Sequence, residues 1–244
     1  MKKKTFLLYI LIMSISVSSK GQEKKLAFEG KKILIVYGGW QGHKPDFFAK
    51  KIAGWLENQN ASVTLSESTE IYTNTIIMDG IDLIIQHITM GKIKPNESKA
   101  LQKAISKGVG LAGCHGGLGD SFREDTEFQY MVGGQFVKHP GGQVNYTVNI
   151  TDPNNPITKE IADFSIFSEQ YYMHVDPNLN ILASTQFSGD HDNWIEGVIV
   201  PVAWTKRYGK GRVFYSSLGH SADVLEKDEV WTLMTRGISW AVQN

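Results

Sequence analysis

The chain carries seven histidines: His43, His87, His115, His139, His174, His191 and His220. They are the side chains best suited to chemistry near neutral pH, because imidazole changes charge there and also binds divalent metals. Three stand beside glycine, in Gly42-His43, Gly219-His220 and the run Gly113-Cys114-His115-Gly116-Gly117. A strand leading into a glycine-flanked polar residue and then a helix is a construction that holds a side chain in a strained turn above a sheet. Two frames compete for that turn. In one, Cys114 is a thiolate nucleophile with a base nearby. In the other, His115 is the working residue and Cys114 is a small apolar filler. Glu169 follows the apolar stretch Phe164 to Phe167, where burial would raise its pKa and suit it to general acid or base work. No two histidines have the close helical spacing of a metalloprotease. A metal site would therefore be assembled from distant segments, drawing on candidates such as His43, His115, Glu169, His174 or His220, and zinc or another divalent transition metal would suit imidazole and carboxylate together.

Blander readings stand beside these. His87 would cap a strand ending at Gln86, and His191, between Asp190 and Asp192, reads as a solvated turn residue. His139 precedes Pro140 and could serve only to hydrogen-bond a loop. His43 could cap the helix that begins at Pro45.

The elements that must position these groups alternate strand with helix. Ile33 to Tyr37 is a short, β-branched apolar run without alternation, which suits a strand buried on both faces. It ends in Gly38-Gly39, and Pro45 with Asp46 opens a helix in which Phe47, Phe48, Ile52, Trp55 and Leu56 recur at helical spacing. Strands follow at Ser62 to Leu65, Ile81 to Ile85 and Val109 to Ala112, with a helix over Asn96 to Ser106 between the last two. Such alternation implies right-handed crossovers and a mostly parallel sheet covered on both sides, with ligands beyond the carboxyl ends of its strands. Further strands are expected at Gln143 to Ile150, Asn180 to Thr185, Gly197 to Trp204 and Arg212 to Ser217, the last pair joined by a hairpin turn at Gly209-Lys210-Gly211. Val230 to Val242 reads as an amphipathic helix whose Trp231, Met234, Ile238, Trp240 and Val242 pack on the sheet.

Composition narrows the class. An apolar content of 41% excludes a disordered chain, and one cysteine excludes a disulfide scaffold. Lys2, Lys3 and Lys4 precede the apolar run Phe6 to Ile15, and Ser19-Lys20-Gly21 offers a cleavage point before Gln22, so residues 1–21 read as a secretory signal. Residues 22–244 then form a single domain, with a periplasmic or secreted location. Removing the leader takes away four lysines and no acid, leaving 21 basic against 25 acidic residues. Neither nucleic acid nor, once the signal is gone, a membrane is an expected partner.

Six segments in order resemble the ThuA-like (trehalose utilisation) family, whose fold is like that of class I glutamine amidotransferases. They are Gly38-Gly39-Trp40-Gln41-Gly42-His43; the Gly113 to Gly117 turn with Asp120-Ser121-Phe122-Arg123; Gly133-Gly134-Gln135-Phe136-Val137-Lys138-His139-Pro140; Glu169-Gln170-Tyr171-Tyr172-Met173-His174; Pro201-Val202-Ala203-Trp204; and Tyr208 through His220. The resemblance implies a flavodoxin-like α/β sheet and a pocket built from His43, His115, His139, Glu169, Tyr171, His174 and His220. Relatives commonly carry an apolar residue where Cys114 stands, which favours the His115 frame and argues against glutaminase chemistry.

The resemblance also implies handling of oxidised, keto-type sugars. The expected activity is therefore that of an exported enzyme which isomerises or cleaves a keto sugar or 3-keto-glycoside, with His115, Glu169 and His220 moving and orienting protons. Trp40, His43, Asp120, Arg123, His139, Tyr171 and His174 would hold the substrate, with or without a divalent metal and without a nucleotide. A non-catalytic sugar-binding partner protein and a Cys114-dependent hydrolase of the DJ-1 and PfpI type are the alternatives. Pairing of two copies as a homodimer is compatible with the sequence.

Overall fold

The computed structural model describes residues 28–242, so the leader expected over residues 1–21 lies outside the described residues. In chain order the strands are β1 (Lys32–Gly39), β2 (Ser62–Ser66), β3 (Leu83–Thr89), β4 (Gly110–Cys114), β5 (Gly134–Lys138), β6 (Gln143–Ile150), β7 (Phe164–Glu169), β8 (Tyr172–Val175), β9 (Asn180–Gln186), β10 (Ile199–Tyr208) and β11 (Gly211–Ser216). The helices are α1 (Pro45–Glu57), α2 (Thr75–Met78), α3 (Pro95–Lys107), α4 (Gly116–Gly119), α5 (Thr126–Val132), α6 (Ala222–Glu226) and α7 (Asp228–Val242).

Every residue of β3 and β4 is buried, as is the run Ile33 to Val36 in the middle of β1. Strands this apolar must be covered on both faces, and the pleat divides their side chains between two cores. Ile33, Ile35, Leu83 and Ile85 point to one side, where they meet Phe48, Ile52 and Leu56 of α1 and Leu233, Met234 and Ile238 of α7. Leu34, Val36, Ile84 and Leu111 point to the other, against Leu101 and Ile105 of α3 and Phe128 of α5.

The main sheet runs β2-β1-β3-β4-β11-β10-β9-β6-β7. Its first five strands pair in parallel, and the remaining four are added antiparallel. Four successive reversals restore the original direction, so β7 ends on the same sheet edge as β1, β4 and β11. The β6–β7 hairpin joins β9 through Asn149 and Ile150 alone. Its far end is thus free to leave the sheet plane, and Glu169, the last residue of β7, turns back over the edge of the parallel core. β5 and β8 form a separate antiparallel pair.

Three differences from the sequence reading have physical causes. The strand expected to stop at Ile85 runs on to Thr89, which places His87 inside β3 at 1% exposure and not at its end. β7 comes from the segment read only as an apolar stretch; it alternates, with Phe164 and Ile166 inward and Phe167 outward. β5, β8 and α5 are short, and their mixed polarity gave no periodic signal. On α7, Met234, Ile238 and Val242 are buried as expected, whereas Trp231 and Trp240 flank the core half-buried, and Leu233 and Gly237 share the buried face.

Gly237 lets α7 approach the sheet: a Cβ there would come within 2.2 Å of the Phe214 ring. Gly237→Ala is expected to destabilise the fold by ~1–3 kcal/mol through overpacking, despite the higher helix propensity of alanine. A fall in the denaturant midpoint at unchanged m-value checks it.

Candidate functional site

The turn between β4 and α4 decides which of its two polar residues faces the site. Cys114 is the last residue of β4, while His115 has φ 49°, in the left-handed region that non-glycine residues rarely enter. His115 therefore occupies the strained tip of the strand-to-helix turn. Gly116 is required beside it: a Cβ there would lie 2.8 Å from the His43 ring. Cys114 is fully buried, and that burial pushes its thiol far above the ordinary range. Its sulfur lies 4.0 Å from His87 Nδ1, and the His87 ring stacks on Phe48 at 3.9 Å. A fully buried thiol beneath the sheet edge packs as a small apolar group, which favours the His115 frame over the nucleophile reading.

Four loops bring ligand-bearing groups to one point. His43 follows β1, His115 follows β4, Glu169 ends β7, and His220 follows β11; one nitrogen or oxygen from each lies within 4.8 Å of all the others. Glu169 Oε2 is 3.1 Å from His115 Nε2, 3.3 Å from His220 Nδ1 and 4.0 Å from His43 Nε2. Its other oxygen is 3.8 Å from His139 Nε2. The Tyr171 hydroxyl lies 2.8 Å from His115 Nε2, and the phenol ring stacks on the imidazole at 4.3 Å.

Outer partners fix the rings. His115 Nδ1 lies 2.8 Å from the Ser217 carbonyl oxygen, and His43 Nδ1 lies 2.9 Å from the Thr89 hydroxyl. The His43 bond displaces the capping role considered from sequence: the residue before α1 is Lys44, and His43 faces inward. Burial pushes His43 down to about 3, helped by the nearby His115 ring and opposed by Glu169. Burial also lowers His115, again against the pull of Glu169. For Glu169 the balance reverses. Burial alone would raise its carboxyl, as expected from sequence, but the adjoining His115 and His220 outweigh it and hold the group below the usual carboxylate range.

Exposure across the cluster is uneven. His115 is fully buried and Tyr171 nearly so, while His220 and His139 are partly open and the Trp40 ring, edge-on to His43 at 4.6 Å, is 49% exposed. Phe136 stacks on His139, packs tilted against Tyr171 at 4.3 Å and carries the Arg123 guanidinium over its face at 5.5 Å. Asp120 holds Arg123 through two hydrogen bonds, so these two residues satisfy each other at the rim. Two broad concavities lie elsewhere. One of 590 Å³ runs between Lys92 and Glu127, and one of 870 Å³ between Tyr72 and Val109; neither contains a histidine.

His174, expected in the pocket and among the ligands, is not there. It is exposed on β8 opposite Gln135, in a groove with Tyr130 and Asp176. Strand alternation is the cause: Tyr171 and Met173 are buried, so Tyr172 and His174 face the other way. Thr89, Ser217 and Phe136 were not singled out from sequence. Ser217 and Thr89 had only one available signal, their position at strand ends just before glycine-bearing loops.

A family model described as ThuA, trehalose utilisation, matches residues 32–241. The chain belongs to the ThuA family. No curated protein matches it. Among solved structures, a ThuA-like protein from Bacteroides uniformis ATCC 8492 superposes with a TM-score of 0.73 at 16% identity, covering 88% of this chain and 92% of that one. A ThuA-like protein from Parabacteroides merdae ATCC 43184 gives 0.68 at 19% identity, over 88% and 91% of the two chains. A cytoplasmic protein from Salmonella typhimurium LT2 gives 0.60 at 13%, over 87% and 100%. At these identities the likeness establishes the fold of this ThuA chain, a mixed sheet with a parallel core and helices on both faces. The site must be argued from its own residues.

Two outcomes follow for the buried layer beneath the site of this ThuA protein. An alkylating reagent is expected to leave Cys114 unmodified in the native protein and to label it fully once denaturant is added, read by intact mass. Burial pushes His87 down to about 3 from an ordinary value of 6.5. The unfolded chain therefore takes up a proton that the folded chain refuses, and stability conferred by the neutral ring is present above pH 6.5 and lost as pH falls toward 3. Each such histidine contributes a slope of roughly 1 kcal/mol per pH unit in that window. His87→Gln should flatten the acid side of the stability profile, whatever it costs at pH 7, as measured by urea unfolding between pH 7 and pH 4.

Proposed function

We propose that this ThuA protein is an exported carbohydrate-active enzyme that isomerises or cleaves a keto sugar or 3-keto-glycoside at the His/Glu cluster, by proton transfer at the carbon beside the carbonyl. The observation that carries the reading is the meeting of one ionised carboxylate with three imidazoles at a single, partly open point. A carbonyl acidifies the adjacent C–H, so the reaction needs a base within reach of that proton and a donor for the developing enolate oxygen. Return of the proton to the neighbouring carbon isomerises the sugar, provided the enolate oxygen is protonated and the adjacent hydroxyl gives up its proton to become the new carbonyl. Loss of a glycosidic oxygen from the position next to the deprotonated carbon cleaves it, with an imidazole supplying the proton to the leaving oxygen.

Trp40 offers an apolar face for a sugar ring, and the half-exposed Arg123 offers donors for hydroxyl groups beyond those it gives Asp120. The trehalose utilisation family supports a carbohydrate as substrate, and the lysine-led apolar segment at the amino terminus supports export. A second copy of the chain is a further proposed partner.

Glu169→Gln and His115→Asn test the reading, each removing the titrating group while keeping a polar side chain at the position. Each is expected to lower turnover of a 3-keto-glycoside on the order of 10²–10⁴-fold while the protein stays folded. Undiminished turnover in both would end the assignment. Sugar binding by calorimetry with no product in the mass spectrum of the unsubstituted protein would make the chain a binding partner instead of an enzyme.

A further inference from the structure

The four clustered groups can do more than pass protons, and the reason lies in where their lone pairs point. The Ser217 carbonyl oxygen can only accept, so the proton of a neutral His115 is on Nδ1 and its Nε2 presents a lone pair inward. Three atoms face that one lone pair: the Tyr171 hydroxyl at 2.8 Å, Glu169 Oε2 at 3.1 Å and His220 Nδ1 at 3.3 Å. A tyrosine hydroxyl can donate to it, but a carboxylate oxygen cannot, and His220 also turns the same nitrogen to Glu169 at 3.3 Å. A proton placed anywhere in the group answers one pair of these atoms. A cation at their centre answers the imidazole nitrogens and the carboxylate oxygen together.

We infer that His43 Nε2, His115 Nε2, His220 Nδ1 and Glu169 Oε2 are the ligands of one divalent transition-metal ion. Two geometric facts support this. A tetrahedral ion with bonds of about 2.0–2.1 Å sets its ligand atoms about 3.3–3.4 Å apart, and the distances among His115, His220 and Glu169 are 3.1, 3.3 and 3.3 Å. The fourth atom, on His43, stands 4.0 Å from Glu169 and within 4.8 Å of the other two, so its ring must shift inward by about an ångström to join a tetrahedral set. In addition, His43 and His115 each have the outward nitrogen engaged by an oxygen, from Thr89 and Ser217, which is how metal-bound imidazoles are oriented. Three imidazoles with one carboxylate suit zinc, cobalt or nickel better than magnesium or calcium, which prefer oxygen throughout.

The site deepens the proposed carbonyl chemistry but does not need it to be right. Resting on that reading, the ion would polarise the sugar carbonyl, and the proton would pass to groups outside the ligand set. His139 and Tyr171 are the two at hand.

The test uses the whole protein, stripped with a chelator and titrated with Co²⁺. Binding of one equivalent is expected, with the intense visible absorption of a four- or five-coordinate nitrogen-ligated ion. Glu169→Gln and His43→Gln should each abolish the band. Thr89→Val, which removes only an outer partner, should weaken binding on the order of 10–100-fold, and His174→Ala should leave it unchanged. Absence of the band in the unsubstituted protein, or a band that survives unaltered in both ligand variants, overturns the inference. Co²⁺ binding at the four groups without turnover of any keto-glycoside keeps the metal site and removes the substrate reading. Turnover by protein that binds no ion does the opposite.

Discussion

The hydrogen bond from His115 Nδ1 to the Ser217 carbonyl is the contact on which the site depends. It joins the turn after β4 to the turn after β11, two neighbouring parallel strands, and it sets both the tautomer and the orientation of a fully buried ring. The backbone at His115 is left-handed and would relax if the surroundings allowed it. They do not: its amide donates to Ser216, and Tyr215 donates to its carbonyl. The glycines that follow are filled in by neighbours, with the Gly117 Cβ position only 2.2 Å from His87. Strain at one residue is held by packing on every side of it, which is the usual circumstance in which such strain persists.

Glu169 reaches this ring by a different route. The parallel core supplies His43, His115 and His220 directly from the carboxyl ends of β1, β4 and β11, as expected for an open α/β sheet. No strand of that core supplies a carboxylate. It comes from the antiparallel extension, through a hairpin attached to β9 at two residues and free beyond them. The added strands thus serve the site as well as widening the sheet. The small β5–β8 pair has a similar purpose, because it sets Phe136, His139 and Tyr171 against the open side of the cluster.

What could be read in the sequence divides along physical lines. The buried strands β1, β3 and β4 and the helices α1, α3 and α7 announce themselves by unbroken apolar runs or helical spacing. With them came the loops that carry His43, His115 and His220. Segments whose order depends on distant contacts did not: β5, β7 and β8 are short and half polar, and their pairing is decided by the chain that lies against them. His174 shows the limit most clearly. It shares a motif with Glu169 and Tyr171, but a strand turns successive side chains to opposite faces, and only the structure fixes which face looks inward. The pKa of Glu169 shows a second limit. Burial was visible in the neighbouring apolar residues, but the imidazoles that reverse its effect come from segments 54 residues earlier and 51 residues later in the chain.

The cost of the cluster is itself an argument about its purpose. Buried ionisable groups contribute little to stability, and an apolar set of similar volume commonly does as well or better. This chain packs apolar side chains where packing is all that is needed: on the same sheet, Ile33, Ile35, Leu83, Ile85 and Phe214 meet α1 and α7 with no polar atom among them. At the carboxyl edge it instead assembles one carboxylate and three imidazoles, two of them with their pKa lowered by burial, and braces the ring of His115 with a strained backbone. A fold that needed only a closed edge could use leucine there. Groups set this close, with lone pairs directed at one another and with His220 and His139 partly exposed beside them, are suited to receiving something positively charged or polarisable, and a site of that kind is where perturbed titrating groups gather.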